Sequence, residues 1–296
     1  MKEFYKIIID ICDKYKINCS ILSDDWILML EKDNKVRYFI GYKSDLNSSA
    51  VSNLFDDKYG LFTVLRKKNI PVCEYMILFK NYDRKIVENY YLENNKKLVV
   101  KDNMGSCGIS VFKSNDIDEI YKLIDNILES SYSACICPFY DIKTEYRLIN
   151  VKGVPKVIYG KRKPVVIGDG KTTIIELLKR FNYYYFSSIK DKSLNRVLKE
   201  GEIFEYNWQF NLSRGAIPFD IDDNILLDKL KEICSKVISV TNIKFSSIDI
   251  VELVTGELLV LECNSGVMME NYIRYMKNGR EMAYDVYEEV IIEMFK

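Results

Sequence analysis

Apolar residues recur along the chain at two periods, and the switch from one to the other divides it into elements. Tyr5, Ile8, Ile11, Cys12 and Tyr15 fall at helical spacing and predict one buried face of a helix ending near Tyr15. Apolar runs near 17–22, 26–30 and 36–41 predict three strands. A helix from about Ser48 to Lys68 follows, then Pro71 and a strand to Phe79. Next come a polar helix near 82–94, a strand "KLVVK" at 97–101, a glycine loop, a strand "ISVFK" at 109–113 and a helix from Asp116 to about Ser130. That block reads as a small α+β unit of its own.

From Ala134 onward strands dominate, in "ACICPFY", "EYRLINV" and "VPKVIYGKR". "GDGKTTIIELLKRFN" at 168–182 opens on a Gly-Asp-Gly turn, with Thr172 or Thr173 as the helix cap. Tyr183 to Leu198 is a connection rich in Tyr, Ser and Lys; a helix near 223–240 precedes the closing strands, and a last helix starts near 279. No repeat, low-complexity tract or long Pro/Gly linker interrupts the pattern, so 1–72, 73–138 and 139–296 are expected to be subdomains around shared clefts, a common place for ligands.

The closing strands, "SSIDIVELVTGELLVLECNSG", carry charge where strands usually carry none. With a two-residue turn at Thr255 and Gly256, Val254 pairs with Glu257, Ile250 with Leu261, and Asp249 falls opposite Glu262. Strand alternation sets Glu262 and Asn264 on one face and Leu261 and Cys263 on the other. Opposed side chains in an antiparallel pair sit about 5 Å apart at Cβ, where two carboxylates repel unless a cation lies between them. Asp249, Glu262 and Asn264 form an oxygen-only set that suits Mg²⁺ better than zinc or copper. The pattern equally allows exposed strand-end charges, or another register.

Composition narrows the chemistry. The 296 residues are 48% apolar, ample for a core. The 43 basic and 43 acidic residues cancel, so nothing points to nucleic acid or an anionic membrane. The N-terminal segment could pass for a signal peptide, but Asp10 and Asp13 interrupt it, and no run of 18 apolar residues occurs; a cytoplasmic protein is expected. Eight cysteines are scattered without a CxxC pair, which predicts reduced, buried thiols and no zinc site. Histidine is absent altogether. That removes Ser-His-Asp and Cys-His catalysis and histidine metal sites, leaving carboxylates, lysines, arginines and bound cations.

"KLVVKDNMGSCGISVFK" places Lys101 at a strand end, before a loop with Gly105, Ser106 and Gly108. Glycines let backbone N–H groups turn toward phosphate oxygens, and a lysine adds a point charge. The segment lacks the GxxxxGK[ST] of a P-loop, and an ordinary hairpin can carry the same residues.

These stretches fall in the order of a known superfamily. The chain resembles the ATP-grasp proteins, and within them the glutathione-synthetase-like half of bifunctional γ-glutamylcysteine synthetase/glutathione synthetase and the ATP-grasp module of cyanophycin synthetase. "VVKDNMGSCGISVFK" is similar to their phosphate lid, "EYRLINVKGVPKVIYGKRKPVVIGDGKTTIIELLKRFN" to their core strand pair and GDG turn, "FNLSRGAIPFDIDDN" to their N-x-S-x-G-G stretch, and the final hairpin to their D…E-x-N metal site. The likeness reaches back to "INCSILSDDWILMLEKDNKVRYFIGYKSDLNSS" and covers nearly the whole chain.

The resemblance implies an α+β ATP-grasp fold: an N-terminal α/β subdomain at 1–72, a lid at 73–138 and an antiparallel core with the Mg²⁺ site at 139–296. It implies that Lys58 and Lys101 contact ATP phosphates with Gly105, Ser106 and Gly108 closing over them, and that Glu145 contacts the ribose. Arg147, Arg162 and Arg214 would steady the transferring phosphoryl group or an acyl phosphate, and Asp249, Glu262 and Asn264 would hold Mg²⁺. The implied cofactors are ATP and Mg²⁺. The implied partners are a small carboxylate and an amine, an amino acid or short peptide on each side, with a homodimer allowed. The reaction is amide formation through an acyl phosphate; phosphorylation of a hydroxyl and nucleotide binding without turnover are the alternatives. Departures are Pro138 where many relatives have glutamate, Asp102 where proline is usual, Arg214 where near relatives often have threonine, and "SGVMMENYIRYM" after Asn264.

Overall fold

Strand alternation and helix caps account for most of the architecture in the computed structural model, which describes residues 1–105 and 108–296. The chain opens with α1 (Glu3–Tyr15), then β1 (Asn18–Leu22), β2 (Ile27–Lys32), β3 (Lys35–Ile40) and β4 (Lys43–Ser44), an antiparallel sheet in that order. Leu28, Leu30 and Phe39 on its inner face pack against Phe4, Ile7 and Ile11 of α1. The start of α1 has no local side-chain cap. Glu270, far along the chain, supplies one, accepting from the backbone N–H of Phe4 at 2.9 Å and of Glu3 at 3.2 Å.

The helix expected over 48–68 is two helices, α2 (Ser49–Asp56) and α3 (Lys58–Arg66). Asp57 divides them by leaving helical geometry and capping α3 through the Gly60 N–H at 2.8 Å. A Cβ on Gly60 would stand 2.5 Å from that carboxylate, so glycine there is what admits the cap. The break places Lys58 at the first turn of α3.

The next unit holds β5 (Met76–Leu78), α4 (Arg84–Glu93), β6 (Leu98–Asp102), β7 (Val111–Ser114), α5 (Ile117–Ser130) and β8 (Ala134–Pro138). Its sheet runs β5-β8-β6-β7. Leu98 and Val100 share a core with Val87 of α4 and with Ile120 and Ile124 of α5. The alternate residues, Val99 and Lys101, therefore face the opposite way, toward the rest of the molecule.

The largest sheet is built from β9 (Ile142–Val151) and β10 (Val154–Arg162), followed by the short β11 (Val165–Ile167), α6 (Ile174–Phe181), α7 (Tyr183–Phe186) and β12 (Ile203–Glu205). Then come β13 (Ile217–Phe219), α8 (Asn224–Thr241), β14 (Phe245–Leu253), β15 (Leu258–Asn264), α9 (Glu270–Tyr275) and α10 (Gly279–Met294). Strands are ordered β13-β10-β9-β14-β15, all antiparallel. The pairing of β11 with β12 and the helix α9 were not expected from the sequence; β12 is three residues long, too short to show a period. In the GDG turn, Asp169 accepts from the N–H groups of Lys171 and Thr172, and Thr173 rather than Thr172 caps α6, in a capping box with Glu176.

Alternation splits the packing of the sheet between two cores. Ile149, Val151, Val157 and Tyr159 join α1 and α10, while Leu148, Ile248 and Ile250 join α3 and α8. Among the described residues no helix is long and apolar enough to cross a membrane.

The final hairpin corrects one detail of the expected register. Its turn is a three-residue loop, Val254 to Gly256, with Gly256 at φ +88° and the Leu253 N–H donating to Glu257 O at 2.9 Å. Ile250 therefore pairs with Val260 and not with Leu261. A bulge at Leu261 then restores the pairing of Asp249 with Glu262 and of Ser247 with Asn264. Loop and bulge each shift the count by one residue, and the two shifts cancel at the carboxylates.

Candidate active site

A cavity of about 220 Å³ separates the β5-β8-β6-β7 sheet from one face of the large sheet. Its floor is a row fixed by register, in which Arg147 on β9 lies beside Asp249 on β14 and Asp249 beside Glu262 on β15. Glu145, two residues before Arg147, shares its face and pairs with Lys161 on β10. Arg147 forks onto Asp249, Nε to Oδ1 at 2.8 Å and Nη2 to Oδ2 at 2.6 Å. Lys161 Nζ lies 3.0 Å from the same Oδ1 and also donates to Glu145.

Burial opposes charge on Asp249, but Arg147 and Lys161 outweigh it and hold the carboxyl down to about 2. Burial wins at Glu145, raising its pKa in spite of Lys161. The row is therefore pre-charged at Asp249 and less so at Glu145.

Glu262 and Asn264 line the cavity with no side-chain hydrogen bond to another described residue. Two carboxylates and one amide oxygen on neighbouring strands fit Mg²⁺ by donor chemistry, and the nearest thiol, Cys263, is turned into the core. Asp249 already accepts three contacts from cationic nitrogens, so Glu262 and Asn264 are the open donors.

Lysines form the roof. Lys101 Nζ donates to the Tyr75 hydroxyl at 2.9 Å. Lys58, only 9% exposed, donates to the backbone oxygens of Asn103, at 3.2 Å, and of Gly105. Burial lowers its pKa, and Glu262 across the cavity works in the opposite direction. The buried Asn103 ties the loop to α3, accepting from the Tyr59 N–H at 3.0 Å and donating to Asp57 at 2.9 Å. Asp102, the departure at the loop's start, accepts from the Met104 N–H and the Ser131 hydroxyl.

Gly108 has φ +68°, and a Cβ there would stand 2.5 Å from Asn211 Nδ2. The loop thus reaches the "FNLSRG" segment across the cavity. The far end is apolar and aromatic: Val99, Val111, Cys137 and Leu261, with Phe139 and Trp208 at 5.8 Å between ring centres. Pro138 lines that end as the last residue of β8.

Of the expected site residues, Lys58, Lys101, Gly105, Gly108, Glu145, Arg147, Asp249, Glu262 and Asn264 all line this one cavity. Ser106 lies outside the described residues. Arg162 and Arg214 do not line it. Arg162 is exposed, with its guanidinium 5.3 Å from the centre of the Phe219 ring, because strand alternation gives the inward place to Lys161. Arg214 donates to Gln209, which does line the cavity, at 3.2 Å.

Lys161 and Asn103 were missed. Lys161 was legible in principle, since Val157, Tyr159 and Lys161 alternate along β10 as Glu145 and Arg147 do along β9. Asn103 had no sequence signal.

A small antiparallel sheet backed by two helices, set over a larger antiparallel sheet with a cavity between, is the ATP-grasp fold. No sequence-family profile and no curated protein matches the chain. Solved structures do. A bifunctional glutathione synthetase from Pasteurella multocida superposes with a TM-score of 0.59 at 14% identity, over 98% of this chain and 44% of that one. A D-alanine-D-alanine ligase from Bacillus anthracis gives 0.56 at 15%, over 82% and 67%, and the D-cycloserine synthetase DcsG 0.52 at 13%, over 81% and 71%. The chain thus spans less than half the length of the synthetase, and at these identities the likeness is one of fold.

Proposed function

We propose that the protein is an ATP-dependent carboxylate-amine ligase that forms an amide through an acyl phosphate. One observation carries the reading: the row Arg147, Asp249, Glu262, with Lys161 and Glu145 beside it, faces Lys58 and Lys101 across a single cavity. The neighbours support it by name, since the synthetase and the ligases join carboxylates to amines and one D-alanine-D-alanine ligase structure carries ATP.

In this reading an oxygen of the substrate carboxylate attacks the γ-phosphorus of ATP, the bond to the bridging oxygen breaks, and ADP leaves. An amine nitrogen then attacks the acyl carbon, phosphate departs, and the amine proton passes to solvent. Such chemistry depends on position and on neutralised charge more than on a strong base, so a protein without histidine is suited to it. Bound Mg²⁺, held by Glu262 and Asn264 with Asp249 behind them, would supply charge neutralisation. Lys58 and Lys101 take phosphate oxygens, which requires Lys58 to exchange its loop carbonyls for phosphate. Phe139, Trp208 and the apolar wall take the base. Gly105 and Gly108 let the loop close, keeping water from the acyl phosphate. Amino acids or short peptides are the substrates on both sides.

The test is ADP release with hydroxylamine present, across amino acids, small peptides and other carboxylates. Hydroxamate from one class of acid is the expected product, since hydroxylamine intercepts an acyl phosphate whatever the natural amine. ADP formed with a stable phosphoester and no hydroxamate would overturn the ligase reading in favour of a kinase.

A further inference from the structure

The cavity over the large sheet continues past the metal donors into a part whose chemistry differs from the rest. Along β15 and the segment after it, Leu261 lines the apolar end, Glu262 and Asn264 the middle, and Gly266, Met268 and Asn271 the opposite end. Ser247, two residues before Asp249 on β14, lines that end too and is only 3% exposed. The Ser247 and Asn271 side chains make no hydrogen bond to another described residue. Met268 and Leu212 supply apolar surface there.

This end offers a ligand no charge. Every charged residue lining the cavity belongs to the floor row or to the roof, and among the described residues all but Glu262 have partners. Arg147 and Lys161 hold Asp249 and Glu145, and Asp102 holds its own loop. Lys58 and Lys101 hold loop carbonyls and Tyr75 until phosphate replaces them. Ser106 and Cys107 carry no charge. A free α-amino acid in the acid role brings an ammonium one carbon from the reacting carboxylate, and once Glu262 holds Mg²⁺ no anion is open to it. An acylated nitrogen is neutral, and its N–H and C=O suit a hydroxyl and a carboxamide, each of which both donates and accepts. We infer that the acid substrate is an N-acylated amino acid, as at the C-terminus of a peptide, with its amide held by Ser247 and Asn271 and its side chain against Met268 and Leu212. The inference rests on the ligase reading and narrows its substrate.

Hydroxamate formation with the common amino acids tests it, each offered free, N-acetylated and as the C-terminal residue of an N-acetyl dipeptide, with KM and kcat measured for each form. The acylated forms are expected to exceed the free form in kcat/KM by at least about tenfold, because the free ammonium would be buried without a partner. Asn271→Asp should raise kcat/KM for the free form by about tenfold, since it supplies the missing anion. That carboxylate falls in the first turn of α9, where a helix favours it, so the fold is retained. Asn271→Leu should raise KM for the acylated forms several-fold with a smaller change in kcat, as loss of a binding contact does. Hydroxamate from free amino acids as readily as from acylated ones, or a preference unmoved by Asn271→Asp, would overturn the inference and leave the ligase reading standing. No hydroxamate from any of these acids would overturn both.

Discussion

The floor and the roof of the main cavity are held by different forces. On the floor, Arg147, Asp249, Glu262, Glu145 and Lys161 are set by backbone register across four strands, so each side chain's place follows from its neighbours' hydrogen bonds. In the roof, the loop after β6 is tied by side chains acting on backbone, with Lys58 on two loop carbonyls and Asn103 on the first turn of α3. A floor built this way stays in place whether or not a ligand is bound. A roof built this way can exchange its ties for ligand oxygens, which is what a closing lid needs.

The sharpest way to break the contrast is Arg147→Met. It leaves Asp249 buried with Lys161 as its remaining cation, and breaking a buried pair of this kind costs about 3–5 kcal/mol, read by urea unfolding. The same variant should change the acid limb of stability. Asp249 is held to about 2 when folded against an ordinary 3.8, so the unfolded state binds its proton more tightly. The stability from this group is full above the unfolded value and lost as pH falls from there toward the folded one. Without Arg147 the folded value rises toward the unfolded one, so less stability is lost on acidification and the acid limb flattens. An unfolding free energy and acid limb like the wild type's would show that the floor is not held by this pair.

Glu262→Gln should separate function from stability on the same row. Its side chain makes no hydrogen bond to another described residue, so the fold should be unmoved while hydroxamate formation falls by roughly 10²–10³-fold. Near-normal turnover would remove Glu262 from the metal set. Lys58→Met should act on the roof: the loop loses its two carbonyl ties, and the KM for ATP rises by about tenfold with a smaller change in kcat. A pure kcat effect would place Lys58 at the transferring phosphoryl group and not in the lid.

The floor was the more legible of the two in the sequence, for the same reason that it is rigid. Strand period and a hairpin turn were enough to set Asp249 against Glu262, even though the turn was misjudged by one residue, because the bulge at Leu261 cancels the error. Legibility failed where a contact joins residues distant in sequence without a period. Glu270 capping α1 and Asn103 docking on α3 are of that kind. The break at Asp57 was missed although the capping aspartate stood in plain view, because the apolar spacing runs on through it.

Lys161 and Arg162 give the finest test of the register argument, since they are adjacent and both cationic. Alternation along β10 puts Lys161, 3% exposed, between Glu145 and Asp249, and Arg162 outside against Phe219. Arg162→Ala should then leave hydroxamate formation within about twofold of wild type and cost at most about 1 kcal/mol, the worth of an exposed cation over a ring. Lys161→Met in parallel should lower turnover sharply. If Arg162→Ala were the damaging one, β10 would have to be shifted by one residue, which would carry Tyr159 and Val157 out of the core as well. Those two residues are 1% and 3% exposed, so the packing of the sheet and the inward place of Lys161 are a single claim.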